Sequence, residues 1–260
     1  MELLFLGCGT SQGVPLIAHP NEGLDLADKR NHRTRSSVHV VLDGLHVQVD
    51  CGPEFRLQCL WNDVRAIDLV ILTHGHADHM MGFDDLRRFC EMRAGLAMPV
   101  YTTDEGEERL RACFPYAIAE KAISGGYVAL KPLRMPSALE LPNGCLIRSA
   151  LLPHGSIFSL GLVFEEKSTG KKLAYFNDCH RVTDEALALG MDADVAVLDG
   201  LRPHPHPTHM TIGAACEAAH AMRAKRAFIT HMTQHVDYAT WKAKLPAPVE
   251  PAYDGLSVSV

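Results

Sequence analysis

Four side chains able to hold a divalent cation, His74, His76, Asp78 and His79, fall within six residues of this chain. Neutral imidazoles and carboxylates suit borderline ions such as zinc or manganese, and isolated core or surface histidines do not cluster at this density. The cluster follows the apolar run Ile67-Asp68-Leu69-Val70-Ile71-Leu72, which reads as a strand buried on both faces. Three further candidates stand in the same relation to an apolar run. His154 follows Ala150-Leu151-Leu152-Pro153, Asp178 follows Leu173-Ala174-Tyr175-Phe176-Asn177, and His231 follows Ala227-Phe228-Ile229-Thr230. Strands that end on one edge of a sheet deliver such groups to one cleft. Five histidines and two aspartates are enough for two ions sharing a bridging carboxylate, so two divalent metal ions, zinc or manganese, are the expected cofactors.

Asp50 also ends a strand. It reads either as a support for a ligand histidine through its other ring nitrogen or as a turn cap, and both readings stand. His19, His32, His39, His46, His180, His204, His206, His220 and His235 show no comparable pattern.

The elements that must position these groups alternate along the chain. Leu3 to Leu6 is strand-like and stops at a glycine loop, Gly7-Cys8-Gly9-Thr10-Ser11-Gln12-Gly13-Val14-Pro15. Its glycines make a turn and would also let backbone N–H groups approach an anion. Residues 37–50 read as a hairpin about Asp43-Gly44. Helical spacing covers Glu54 to Trp61, Phe83 to Met92 and Glu105 to Phe114, and residues 127–176 are strand-rich. A helix at Asp184 to Leu189, a strand at Val195 to Leu198, a helix at Ile212 to Met222 and a strand at Ala227 to Thr230 complete the pattern. Hairpins mixed with βα units favour two packed sheets flanked by helices over one doubly wound sheet.

The chain has 260 residues, 47% hydrophobic and 22% charged, with no linker or low-complexity tract, which predicts one domain over residues 1–260. A net charge of −6 disfavours a grip on long nucleic acid. The crowded cations Lys29, Arg30, Arg33 and Arg35 read as a solvated surface loop. Eight dispersed cysteines without a C-x-x-C pair read as reduced thiols, and with neither a signal-like start nor a membrane span the expected setting is cytoplasmic. A homodimer is compatible with this composition.

The H-x-H-x-D-H loop with a later His, Asp and His in that order resembles the metallo-β-lactamase superfamily, which implies an α/β fold, the αββα four-layer sandwich, across the whole chain. The stretches Gly7 to Pro15, Arg33-Thr34-Arg35-Ser36-Ser37 and Tyr253-Asp254-Gly255 resemble, within it, the cyclic-phosphoribosyl phosphodiesterases of phosphonate breakdown and, more distantly, ribonuclease Z. By that resemblance His74, His76, His154 and Asp178 hold one ion, and Asp78, His79, His231 and the same Asp178 hold the other. Asp78 then counts as catalytic together with His209, which the resemblance makes a proton donor. Spacing alone does not choose among the histidines of Pro203-His204-Pro205-His206-Pro207-Thr208-His209. Members of the family often bind a structural zinc through cysteines after Gly-Val-Pro and a histidine three residues past the last metal ligand. Here Leu16 to Glu22 lacks cysteine and the late position is Gln234, so no structural zinc is expected.

The resemblance implies hydrolysis of a small phosphodiester or ribose cyclic phosphate by a metal-bridging hydroxide. The expected partner is a small phosphate-ester substrate, with no long nucleic acid and no membrane. A tRNA 3'-processing endonuclease of the ribonuclease Z type ranks second, since it calls for an RNA-gripping arm and a more basic surface. A thioester or lactone hydrolase would use the same ions on a carbonyl, and a non-catalytic metal sensor has no need of a water-activating pair.

Overall fold

Alternating apolar residues at the start of the chain build the first of two sheets in the computed structural model, which describes residues 1–260. Strands β1 (Glu2–Gly7), β2 (Ser37–Leu42), β3 (Leu45–Val49), β4 (Leu69–Ile71), β5 (Met98–Thr102) and β6 (Leu130–Arg134) cross it in chain order. The second sheet holds β7 (Ala138–Glu140), β8 (Leu146–His154), β9 (Ile157–Glu165), β10 (Lys172–Phe176), β11 (Val195–Asp199), β12 (Arg226–Thr230) and β13 (Val249–Pro251), again neighbour by neighbour. A last strand, β14 (Ser257–Ser259), returns to pair with β1. Each sheet is part antiparallel and part parallel. The parallel stretches run β3 to β6 and β10 to β13.

Helices α1 (Phe55–Trp61), α2 (Ala77–Met80), α3 (Arg87–Met92) and α4 (Asp104–Cys113) cover the first sheet, and α5 (Asp184–Gly190), α6 (Ile212–Ala221) and α7 (Tyr238–Lys244) the second. Strand β4 shows why four layers are needed. Leu69 and Ile71 point between the sheets while Val70 and Leu72 meet Phe83, Leu86 and Phe89 on the helical side. Burying each such side chain contributes roughly 1.5–3 kcal/mol, and one layer on each face supplies that burial. The sheets touch through pairs such as Phe5 and Phe228, whose ring centroids lie 5.6 Å apart at 60°. The last four helices begin alike: Thr103, Thr183, Thr211 and Asp237 each accept a backbone N–H of the first turn.

Several local expectations shift. The helical span Phe83 to Met92 is a tight 3-10 turn over Phe83–Leu86 running into α3. The glycine loop serves chain packing. A Cβ on Gly9 would meet the Arg33 carbonyl oxygen at 2.6 Å, and the Cys8 N–H donates at 2.9 Å to the Asp254 side chain, so this amide is taken up by the protein itself. The basic segment is not a solvated loop throughout. Arg33 is 2% exposed and its guanidinium donates to Asn31 Oδ1 at 2.9 Å and to the carbonyls of Thr233 and Val236. Arg35 pairs with Glu54 and Arg30 with Asp28, so most of this charge is neutralised locally. After Gly13-Val14-Pro15, Asn21 closes residues 16–21 by accepting from Leu16 N–H and donating to the carbonyls of Leu16 and His19. All eight cysteines are free thiols, and no helix is long and apolar enough to cross a membrane.

Candidate active site

The parallel strands end on one edge. Asp50 follows β3, His74 follows β4 by three residues, Asp178 follows β10 by two, Asp199 ends β11, and His231 follows β12 directly. His154 ends β8 in the same sheet as β10 to β12. Backbone geometry at this edge is unusual. Asp50, Asp178 and His231 adopt left-handed φ values of 58°, 49° and 57°. A side chain other than glycine in this region costs on the order of 1 kcal/mol or more, held here by the surrounding sheets, and such residues concentrate at functional sites.

All seven candidate ligands meet in one cleft, as two adjoining groups. His74, His76 and His154 form the first, Asp78, His79 and His231 the second, and Asp178 lies with His74 and His79 between them. Within the first group the hydrogen-bond network fixes the tautomers. His154 Nδ1 must donate to the Thr208 carbonyl at 3.1 Å, leaving a lone pair on Nε2. Thr73 gives its hydroxyl proton to Asp50 Oδ2 at 2.9 Å and accepts from His74 Nδ1 at 3.0 Å, so His74 Nε2 also carries a lone pair. Both lone pairs face His76 Nδ1, at 3.2 and 3.0 Å. One nitrogen cannot donate to both, whereas a shared cation satisfies all three.

The second group makes the same case with charge. His79 Nδ1 donates to Asp50 Oδ2 at 2.7 Å, so Asp50 does orient a ligand histidine. The other nitrogen, Nε2, is buried without a hydrogen bond of proper geometry, 2.7 Å from Asp178 Oδ2 and 3.2 Å from Asp78 Oδ2. Neither ring nitrogen of buried His231 has a hydrogen-bond partner, although Nε2 lies 2.9 Å from Asp178 Oδ1. Burial opposes charge on His79, yet Asp178, Asp78 and Asp50 outweigh it and hold the imidazole well above its usual range. His231 is likewise raised to about 10, against burial, chiefly by Asp178. Burial keeps His74 low and neutral. Paired imidazoles and carboxylates of this kind exchange protons for a divalent ion when one binds. The donor set therefore fits metal.

His209 stands beside this centre. Its ring lies 4.8 Å from His231 and 4.9 Å from His154 between centroids, and it lines the cleft of about 380 Å³ with Asp78, Asp178 and the exposed hydroxyl residue Ser11. His209 Nδ1 meets Asp199 Oδ2 at 2.7 Å and Asp178 Oδ1 at 3.5 Å, which leaves Nε2 free for a substrate. His206 is turned to Thr208 by its Nδ1, and His204 is exposed on the proline-flanked segment. Asp199 escaped the sequence reading. Its signal was there: Val195-Ala196-Val197-Leu198-Asp199 repeats the strand-then-aspartate pattern of Asp178. With its Oδ2 also accepting from Cys179 N–H, the carboxylate is fixed before it meets the imidazole.

Residues 46–232 match the beta-lactamase superfamily domain. The crystal structure of a diphosphatase from the PhnP family superposes with a TM-score of 0.86 at 32% identity, covering 100% of this chain and 97% of that one. Among curated proteins, the octanoyltransferase of Porphyromonas gingivalis (strain ATCC BAA-308 / W83) is 27% identical over all of this chain, which spans only about half of that protein, 52% of its length. Ribonuclease Z of Cyanothece sp. (strain PCC 7425 / ATCC 29141) is 24% identical over 99% of this chain and 95% of its own. With the two mixed sheets, their helical covers and the histidine–aspartate cleft at the strand ends, this chain belongs to the metallo-β-lactamase superfamily of hydrolases.

Proposed function

We propose that the chain is a two-metal phosphodiesterase acting on a small phosphodiester or ribose cyclic phosphate. The observation that carries this reading is the pair of ligand groups joined at Asp178 with the Asp199–His209 pair set against them. His74, His76 and His154 would hold one ion, Asp78, His79 and His231 the other, and Asp178 both. The chemistry such ions supply is Lewis acidity toward phosphoryl oxygens and a water pKa brought down to about 7.

The protein's own groups do the rest. Asp50 and the Thr208 carbonyl hold ligand imidazoles in the tautomer that presents Nε2 to the cleft. Asp199 fixes His209 through Nδ1 so that Nε2 faces the cleft, and that nitrogen delivers a proton to the departing ester oxygen. The likeness to a diphosphatase favours attack at phosphorus over attack at a carbonyl carbon. Relatives named ribonuclease Z keep the tRNA-processing reading second, but the arginines of residues 29–35 that an RNA backbone would need are spent on Asp28, Glu54, Asn31 and the carbonyls of Thr233 and Val236.

The test is turnover by zinc- or manganese-reconstituted protein of bis(p-nitrophenyl) phosphate, ribose cyclic phosphates, a precursor tRNA, a thioester and a lactone. The phosphodiesters should exceed the carbonyl substrates by orders of magnitude. A thioester as best substrate overturns the reading.

A further inference from the structure

Ser156, on the turn after β8, and Ile157, the first residue of β9, line two spaces at once: the metal cleft and a neighbouring cavity of about 570 Å³. One side of that cavity is apolar and open to solvent. Leu151 is 49% and Phe158 53% exposed there, next to Ile157 and Met135. Large apolar side chains left in water beside a reaction cleft cost nothing to the fold and gain contact when a substrate covers them.

Its charged lining is mainly acidic. Asp104, Glu105 and Glu185 line it with one cation, Arg134; Asp104 pairs with Arg134 at 3.0 Å and Glu105 with Arg109 at 3.3 Å, while Glu185 has no cation partner. Glu105 is fixed in place by accepting the N–H of Gly75, the residue between ligands His74 and His76, at 3.1 Å. The carboxylates outnumber the cations that meet them, which disfavours a phosphate or a polyanionic chain there. The lining tolerates an uncharged ring lying on Phe158. His209 takes no part in it. It borders instead a separate recess with Arg202, Gln12 and Gln234 and no carboxylate. With His209 as proton donor, the departing oxygen would lie toward that recess, and the substituent that stays on phosphorus would be the one able to enter the cavity.

We propose that this cavity binds the retained substituent of the phosphodiester, that the substituent is uncharged and aromatic, and that Phe158 stacks on it over Leu151. The proposal rests on the phosphodiesterase reading above in its acyclic form, since a cyclic phosphate carries both ester oxygens on one sugar. Its test holds the leaving group constant: p-nitrophenyl phosphodiesters whose retained group is methyl, phenyl or 4-carboxyphenyl, assayed with metal-reconstituted protein. Wild type should prefer phenyl over methyl by about tenfold in kcat/KM, as expected for one stacked ring, and should disfavour the carboxylated ring. Phe158→Ala should bring the phenyl-to-methyl ratio to about one while leaving the methyl ester's rate near wild type, and Leu151→Ala should lower the ratio in part. Both positions are exposed, and unchanged melting temperatures would show that the fold survives. A wild-type ratio near one, or a preference that persists in Phe158→Ala, overturns the subsite while phosphodiesterase activity stands. Absence of turnover of every phosphodiester overturns both readings together.

Discussion

The Asp199–His209 pair gives the sharpest chemical expectation. Asp199→Asn keeps an oxygen for His209 Nδ1 but replaces the charged acceptor of that hydrogen bond with a neutral one. A charge-assisted hydrogen bond at 2.7 Å contributes about 1.5–3 kcal/mol, or roughly 10- to 150-fold in rate if all of it is expressed in the transition state. Asp178 Oδ1, 3.5 Å from the same nitrogen, retains part of that field, so a loss of about 10- to 50-fold is expected. His209→Ala, which removes the donor itself, should cost about 10² to 10⁴ in kcat. Both deficits should appear with poor leaving groups such as phenolate and shrink with p-nitrophenolate, because an acidic oxygen departs without a proton. Neither residue belongs to the two ligand triads, so metal content should be unchanged by elemental analysis. Equal deficits on good and poor leaving groups, or loss of metal from Asp199→Asn, would refute proton donation by His209.

Asp178→Ala should empty both metal positions, since its carboxylate groups with His74 and His154 of the first ligand group as well as with His79 of the second; one ion retained by elemental analysis would contradict a shared ligand. Burial pushes the Asp254 carboxyl up to about 7 despite hydrogen bonds from Thr34 and Cys8. A raised folded pKa means stability fully present below the ordinary carboxylate value and lost as pH rises toward 7, by up to about 4 kcal/mol. Urea melts at pH 4.5 and pH 8 should show that fall in wild type, and a fall of equal size in Asp254→Asn would contradict the assignment to Asp254. Arg33→Ala should destabilise the protein by about 1–3 kcal/mol in the same assay, because it leaves the buried Val236 carbonyl without a donor and takes one of two donors from Asn31 Oδ1 and from the Thr233 carbonyl. A change within 0.5 kcal/mol, about what a solvated surface residue gives, would mean that the buried guanidinium is dispensable.

What was legible in the chain depended on how far each residue's partners lie from it in sequence. The grouping of His74, His76, Asp78 and His79 declared itself because all four sit in one turn after one strand. His154, Asp178 and His231 could be joined to them because strand ends of a layered α/β fold share an edge. Asp199 stands at the same edge and obeys the same rule, yet its work is defined by His209, ten residues away across the cleft, and a lone strand-terminal aspartate carries no spacing motif. Arg33 shows the limit most clearly. Four cations in seven residues are a solvated loop by every local criterion, and only the carbonyls of Thr233 and Val236, some two hundred residues on, turn one of them into a buried tie. The same tie holds the segment whose backbone packs against Gly9, directly after the first strand, and the loop that follows His231. A residue that local charge assigns to the surface thus anchors the loop beyond the last metal ligand, because burial is decided by acceptors that the fold alone brings near.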